Sequence, residues 1–201
     1  MGADFEDALI AYVDLIGTIK KVEDSAATSL MREMHSDVRE ALGDTHALPA
    51  ITLAYVWNDS LLLLMRAPEP AIYGKALQDV AALRSRLHVP SYAILVKGQI
   101  FPPLTPAPLT DDRLTILRSS SFAMANCLHI EPLAKAKARE LRGQNKTTPC
   151  WYIDERIVKE VARLKALAID HFKAPMLPKG GQRKVWCFET NALKPSSRQN
   201  D

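Results

Sequence analysis

Along the first hundred positions, continuous apolar runs alternate with segments in which apolar residues recur at helical spacing. Residues 8–16 are apolar except for Asp14, which predicts a strand covered on both faces of a sheet. Two further apolar runs flank Asn58-Asp59, and such a short turn-prone break predicts a β-hairpin. Apolar residues that recur every three or four positions predict two amphipathic helices. The predicted order is a strand over 8–16, a helix over 22–42, a hairpin of 51–57 with 60–65, a helix over 70–87 and a strand over 91–101.

The second half of the chain predicts further strands and helices after a proline-rich interruption. Four prolines between 102 and 108 predict a surface loop or arm over 102–113, because proline cannot donate the hydrogen bonds of a sheet. The polar residues 194–201 predict a disordered tail. The remaining predictions are a helix over 120–142 that is broken or kinked at Pro132, and a strand over 150–153. They continue with a helix that is capped by Asp154 and runs to about 172, and a last strand over 185–188.

These elements predict one α+β domain over residues 1–193. Strands alternating with helices, together with one tight hairpin, favour a mixed sheet covered by helices, and the first hundred residues have the order of a ferredoxin-like βαββαβ core. With 201 residues, 47% of them hydrophobic, the chain is long enough for a sizeable core. No apolar run reaches the roughly 18 residues that a membrane-spanning helix needs, so we expect no membrane partner.

Charge and cysteine content narrow the class of protein. Residues 1–50 carry 10 acidic and four basic side chains, whereas residues 51–201 carry 13 acidic and 22 basic ones. Such an asymmetry occurs in proteins that bind a polyanionic ligand or a nucleic acid, and in proteins that form a self-complementary dimer. The three scattered cysteines and the acidic first residues favour a cytoplasmic protein without a secretory signal.

Asp14 and Asp59 are the main candidates for chemistry. In a split βαβ core the first strand lies beside the returning strand of the hairpin, so both carboxylates are expected at one end of the sheet. A charge in an apolar strand is costly unless it is paired or binds a cation. Two carboxylates with phosphate and water oxygens suit Mg²⁺ or Mn²⁺, and the Gly17-Thr18 turn offers backbone N–H groups to a phosphate. The structural alternative stays open: Asp14 caps the next helix and Asp59 is an ordinary turn residue.

The order and spacing of these motifs resemble the class III nucleotidyl cyclases, the family of adenylate, guanylate and bacterial pyrimidine cyclases. Residues 12–18, Tyr-Val-Asp-Leu-Ile-Gly-Thr, are similar to the family's first strand and its turn. The hairpin Trp57-Asn58-Asp59-Ser60-Leu61 is similar to the family's hairpin and places its aspartate 45 positions after Asp14. Residues 96–100, 121–131 and 149–153 resemble a later strand, the dimer-interface helix and the strand after it. The resemblance spans about residues 8–160.

The resemblance implies a two-metal enzyme that converts a nucleoside triphosphate into a cyclic nucleotide and pyrophosphate, as in bacterial signalling or anti-phage defence. Asp14 and Asp59 would bind Mg²⁺ or Mn²⁺ with the help of the Ile16 carbonyl. The family's active site lies between two subunits, so the resemblance also implies a homodimer. The residues expected to contact the nucleotide are Gly17, Thr18, Ile19 and Lys97.

The interface helix departs from the family's pattern. The family has an asparagine followed four positions later by an arginine, but four positions after Asn126 stands Ile130. Alignment on Glu131 instead places Ala125 and His129 at these two positions. Asn126 and His129 are therefore the catalytic candidates on this helix. The basic residues considered as substitutes for the arginine are Lys97, Arg118, Lys135 and Lys137.

Two other functions remain as alternatives. A cyclase-fold domain without turnover would sense a nucleotide or act as a dimerisation module. A small basic protein would bind nucleic acid through the stretch 135–142, although a charged helix of this kind is more typical of a solvated face. We therefore expect a nucleotide rather than a nucleic acid as the partner.

Overall fold

A computed structural model describes residues 6–16, 26–43, 47–57, 59–66, 69–100, 122–177 and 181–193. The strands of this region form one seven-stranded mixed sheet, in the order β2-β3-β1-β4-β5-β7-β6. The strands are β1 (Glu6–Leu15), β2 (Leu53–Trp57), β3 (Ser60–Arg66), β4 (Ser91–Ile100), β5 (Trp151–Asp154), β6 (Asp170–Pro175) and β7 (Gln182–Phe188). The helices are α1 (Ala26–Gly43), α2 (Ala71–Arg86), α3 (Phe122–Gly143) and α4 (Glu155–Glu160), followed by a 3₁₀ turn (Leu164–Leu167).

Strand β1 lies inside the sheet, as the sequence predicted. It pairs antiparallel with β3 on one side and with β4 on the other, and β2 extends β3 at the edge. This arrangement confirms the ferredoxin-like core of the first hundred residues. Strand β5 then joins β4 in parallel, and β7 and β6 follow as an antiparallel extension. The α+β fold class with a mixed sheet covered by helices is therefore confirmed.

The two faces of β1 belong to two separate hydrophobic clusters. Leu9, Ala11 and Val13 pack in the cluster that contains buried residues of α1 and α2. The alternate residues, among them Ile10 and Tyr12, pack in the cluster that contains buried residues of α3. Because successive side chains of a strand point to opposite faces, Asp14 lies on the α3 face of the sheet.

A glycine in β4 allows α3 to approach this face closely. A Cβ atom built at Gly98 would lie 2.6 Å from the Cβ atom of Ala123, near the start of α3. Real side-chain carbons do not approach so closely, so only glycine at this position leaves α3 where it is.

None of the helices in the described ranges is long and apolar enough to cross a membrane.

The helix predicted from Asp154 to about residue 172 is wrong in its second half. Asp154 caps a helix as expected, since its carboxylate accepts the backbone N–H of Arg156, but α4 ends at Glu160. Arg163 has a positive φ of 66°, which breaks the helical path. Residues from Asp170 onward instead form β6 along the edge of β7. Pairing with β7, the next strand along the chain, overrides the local helical preference of this segment.

Other predictions differ from the structure less, or lie outside it. Helix α3 continues through Pro132 without a break, and the last strand begins at Gln182, three residues earlier than predicted. The proline-rich segment 102–113, the tail 194–201 and the turn residues Gly17, Thr18 and Ile19 lie outside the described residues.

Candidate active site

Asp14 lies near the end of β1 and is almost fully buried, with 6% of its surface exposed. Its partners across the sheet are Ser60 on β3 and Tyr92 on β4. The Ser60 hydroxyl donates to Oδ1 at 2.9 Å, and the Tyr92 hydroxyl donates to Oδ2 at 2.7 Å. The sheet register therefore holds this carboxylate between two hydroxyl donors, one on each neighbouring strand.

Burial is the main electrostatic influence on this group. It raises the pKa of Asp14 above its usual 3.8, against the opposing effect of the Tyr92 and Ser60 hydrogen bonds and of the Lys135 charge. Burial also raises the pKa of Tyr92, and the adjacent Asp14 charge adds to the effect. The Tyr12 hydroxyl lies 3.1 Å from Ser60 Oγ, and burial raises the pKa of Tyr12 to about 12. These tyrosines are therefore neutral hydrogen-bonding groups at physiological pH.

Asp59 lies at the same end of the sheet as Asp14. It directly precedes β3, and its backbone carbonyl accepts the N–H of Leu15 at 3.1 Å. Its charge contributes to the raised pKa of Asp14. The two aspartates that the sequence singled out are thus electrostatic neighbours. The N–H of Ile16, the residue proposed to add a carbonyl ligand, donates to Pro90 at 2.8 Å.

Helix α3 brings a cation and a third carboxylate to Asp14. Lys135 Nζ lies 3.4 Å from Asp14 Oδ2 and 2.6 Å from Glu131 Oε1. The Tyr92 hydroxyl is 3.4 Å from the same Glu131 oxygen. Burial lowers the pKa of Lys135, but the hydrogen bond to Glu131 and the charge of Asp14 outweigh it, so the pKa is raised and the ammonium stays charged.

The catalytic candidates on α3 have different surroundings. Asn126 is buried, and its amide forms a pair of hydrogen bonds with the backbone of Leu177, at 2.7 Å to the N–H and 3.1 Å to the carbonyl. Both polar ends of this side chain thus tie α3 to the segment after β6. His129 is exposed on the surface of the same helix.

The other basic candidates lie away from Asp14 or outside the described residues. Lys97 has the opposite parity on β4 from Tyr92, and its ammonium lies over the Tyr73 ring of α2, 5.2 Å from the ring centroid. It therefore occupies the other face of the sheet. Lys137 pairs with Glu140 and with Asp170 on β6. Arg118 is not among the described residues.

Sequence reasoning missed most of the groups around Asp14. Ser60 belongs to the hairpin motif, but the motif assigns it no function, and Tyr92 belongs to none of the motifs. Lys135 was considered only as a substitute for the missing arginine, and its spacing from Glu131 is that of a helical ion pair, which is common on solvated faces. Only the register of the sheet and the packing of α3 on it show that these four side chains meet at Asp14.

The donor set at this end of the sheet suits a hard divalent ion. The carboxylates of Asp14 and Asp59 offer oxygen ligands, which Mg²⁺ and Mn²⁺ prefer. Among the described residues no group of three or more histidine, cysteine, aspartate or glutamate side chains is placed to hold a metal. Two protein carboxylates with substrate phosphates and water are nevertheless enough for Mg²⁺, which keeps part of its hydration shell.

Sequence comparison and structure comparison differ in what they detect. No protein-family model and no curated protein matches the sequence. Solved structures match over most of the chain. They include the guanylyl cyclase Cya2, with 11% identity, a TM-score of 0.60, and 93% of each chain covered. The guanylate cyclase domain of RhGC from Catenaria anguillulae, solved in complex with GTP, has 12% identity and a TM-score of 0.60, with 92% of this chain and 97% of that one covered.

A third neighbour is the adenylyl cyclase CyaB from P. aeruginosa, with 8% identity and a TM-score of 0.57, where the match covers 93% of this chain and 95% of that one. At such low identity the likeness concerns the fold alone. It agrees with the motif order, in which an aspartate-bearing first strand precedes an aspartate-bearing hairpin. The resemblance is therefore confirmed at the level of the fold: this chain is a divergent protein with the architecture of the class III nucleotidyl cyclase catalytic domains.

Proposed function

We propose that this protein is a divergent nucleotidyl cyclase that converts a nucleoside triphosphate into a cyclic nucleotide and pyrophosphate. One observation carries the proposal: in a domain with the cyclase fold, a buried carboxylate at the end of β1 lies beside the aspartate that precedes β3. Burying an ionised carboxylate is unfavourable for folding, so such a group is typical of a functional site. The cyclic product would serve bacterial signalling or anti-phage defence.

The proposed site has a metal-binding part and a triphosphate-binding part. Asp14 and Asp59, with the Ile16 carbonyl, would hold Mg²⁺ or Mn²⁺. The residues Gly17, Thr18 and Ile19 would hold the triphosphate. Divalent ions held by these residues would lower the pKa of a hydroxyl nucleophile and neutralise phosphate charge.

Hydrogen bonds within the protein prepare Asp14 for this role. Ser60 and Tyr92 donate to different oxygens of the carboxylate, and Tyr12 supports Ser60. These contacts fix the plane of the carboxylate before any ligand arrives. A ligand oriented by its neighbours loses less conformational freedom when it binds an ion.

The exposed side of α3 supports a homodimer. Phe122, Leu128 and Leu133 are large apolar side chains that are between 36% and 45% exposed on this helix. In the family that the motifs resemble, the corresponding helix lies at the subunit interface. A second copy of the chain would cover these side chains, and His129, four positions before Leu133 on the same side of the helix, would then face the partner.

Product formation tests the proposal directly. We expect the full chain, incubated with each of the four ribonucleoside triphosphates and Mn²⁺, to release a cyclic nucleotide and pyrophosphate that mass spectrometry detects. Changes to residues around metal ligands already cost about 10–100-fold, so Asp14→Asn and Asp59→Asn should each reduce the rate by more than about 100-fold. Glu160→Gln, which changes an exposed carboxylate on α4, is the matched control and should leave the rate unchanged.

A second candidate function is a cyclase-fold module that binds a nucleotide without turning it over. The specific observation in its favour is that Asn126 is engaged with Leu177, so the chain has no free asparagine at this point of α3. Calorimetric binding of a nucleotide by a folded dimer that forms no product from any of the four triphosphates would favour this function and contradict the cyclase.

A further inference from the structure

Asp14 has a cation of the protein against it. Lys135 Nζ lies 3.4 Å from Oδ2, the oxygen that also accepts the Tyr92 hydroxyl, while Oδ1 accepts from Ser60. Each oxygen of the carboxylate therefore has a donor. The only full positive charge that the described residues place against it is that of Lys135.

Of the three lysines considered for the site, Lys135 is the one that lies against Asp14. Lys97 lies on the opposite face of the sheet, over Tyr73. Lys137, two positions further along α3, is held by Glu140 and Asp170. The helix thus directs one ammonium to Asp14 and the next one to the edge of the sheet.

We propose that Lys135 is an internal counter-ion that closes the Asp14 site against divalent cations, and that it must withdraw for such an ion to bind. The inference rests on the proposed function, in which Asp14 is a metal ligand. A Mg²⁺ ion in direct contact would lie about 2.0–2.1 Å from a carboxylate oxygen. An ammonium 3.4 Å from that oxygen would repel the ion strongly in this partly buried site.

Glu131 supplies the place to which the ammonium can withdraw. It holds Lys135 at 2.6 Å, which is shorter than the contact of Lys135 with Asp14. The lysine side chain is 48% exposed, so its four-carbon stem has room to rotate toward solvent while the pair with Glu131 persists. Lys135 therefore exchanges between a shared position on both carboxylates and a position on Glu131 alone.

The affinity of the protein for Mn²⁺ in the absence of nucleotide tests this proposal. The full-length protein is titrated with Mn²⁺ alone, and the free ion is followed by electron paramagnetic resonance. We expect Lys135→Met to bind Mn²⁺ on the order of tenfold more tightly than the unmodified protein, because one repelling charge is removed. Lys135→Gln should behave in the same way, and either variant suffices if the other does not fold.

Two further variants identify the cause of the change. Lys135→Arg keeps the charge and should leave the affinity within about threefold, which is near the effect of a surface charge. Lys137→Met removes one charge from the same helix at a point away from Asp14, so it should also remain within about threefold. The added affinity of Lys135→Met should disappear when Asp14→Asn is introduced as well.

The possible results separate this inference from the proposed function. Equal Mn²⁺ affinity in Lys135→Met and Lys137→Met overturns the inference, and so does the absence of Mn²⁺ binding in every variant. If the protein nevertheless releases a cyclic nucleotide, the proposed function stands without the inference. If Lys135→Met binds more tightly through Asp14 and no variant forms product, the inference stands and the cyclase function fails.

Discussion

At the scale of single residues, the environment of Asp14 opposes its charge. An apolar strand buries the carboxylate, and among the described residues two hydroxyls and one shared ammonium compensate. The raised pKa of Asp14 means that the folded protein holds a proton at this position more tightly than the unfolded chain does. The ionised form that would bind a cation is thus the form that the fold stabilises less.

This preference predicts how stability changes with pH. Because its pKa in the folded state lies above the usual 3.8, the contribution of Asp14 is fully present below that pH and is lost as the pH rises through the folded-state value. Relative to Asp14→Asn, the unmodified protein should therefore lose free energy of unfolding as the pH rises from 3.8 toward neutrality. Urea unfolding of both proteins in a buffer with a chelator measures the difference.

Asp170 provides a control of opposite sign. A hydrogen bond from Lys137 lowers the pKa of Asp170 below 3.8, so its contribution is present at neutral pH and is lost as the pH falls through the folded-state value. Relative to Asp170→Asn, the unmodified protein should lose stability toward acid. The same pH trend for both substitutions would contradict the electrostatic account of Asp14.

At the scale of elements, the close contact between β4 and α3 positions the helix that carries Glu131 and Lys135. A methyl group at Gly98 would meet Ala123, whose Cβ and backbone cannot move without the helix. The fit between Gly98 and Ala123 therefore sets how closely the start of the helix that carries this cation approaches the sheet.

Gly98→Ala should destabilise the protein by about 1–3 kcal/mol, because overpacking at a rigid contact forces the backbone to shift. The matched control is Gly74→Ala in α2, where an added Cβ meets nothing within 4 Å. That substitution should stabilise the helix by up to about 1 kcal/mol, since alanine has the higher helix propensity. Denaturant unfolding of both variants measures the effects, and equal stabilities would exclude the proposed contact.

Most elements were predictable because their signals are local, while β6 was not. The apolar runs of β1 and of the hairpin indicated buried strands, and their order indicated the core. The segment 161–169 has a helical composition, and the strand that follows it exists because β7 offers an edge with the register Phe172↔Val185. The candidate site divides in the same way: Asp14 and Asp59 stood out within apolar runs, but the contact with Lys135 depends on how α3 packs against the sheet.

At the scale of the whole molecule, the sheet consists of two antiparallel parts joined by the parallel pair of β4 and β5. The first part holds both aspartates, and the second begins at Trp151. Helix α3 lies between these parts along the chain and packs against β1, β4 and β6. Its outer surface is where a second subunit would bind.

Replacing an exposed leucine of α3 tests this subunit contact. Leu128→Glu should shift the protein from dimer to monomer in sedimentation experiments, because a two-fold interface brings the same residue in from both copies and two buried charges are added. Leu167→Glu is the matched control, since this leucine of the 3₁₀ turn is also about half exposed, at 48%. A dimer that survives Leu128→Glu, or a monomer in the unmodified protein, would contradict the predicted interface.

The fastening of α3 has a mechanical consequence. Asn126 and Lys137 attach the helix to the edge of the sheet, through Leu177 and Asp170, while Lys135 on the same helix touches Asp14. A helix transmits displacement as a stiff rod, whereas the edge strand lies far from β1 in the order of the sheet. A pulling force on β6 would therefore move Lys135 relative to Asp14 through α3, without passing from strand to strand.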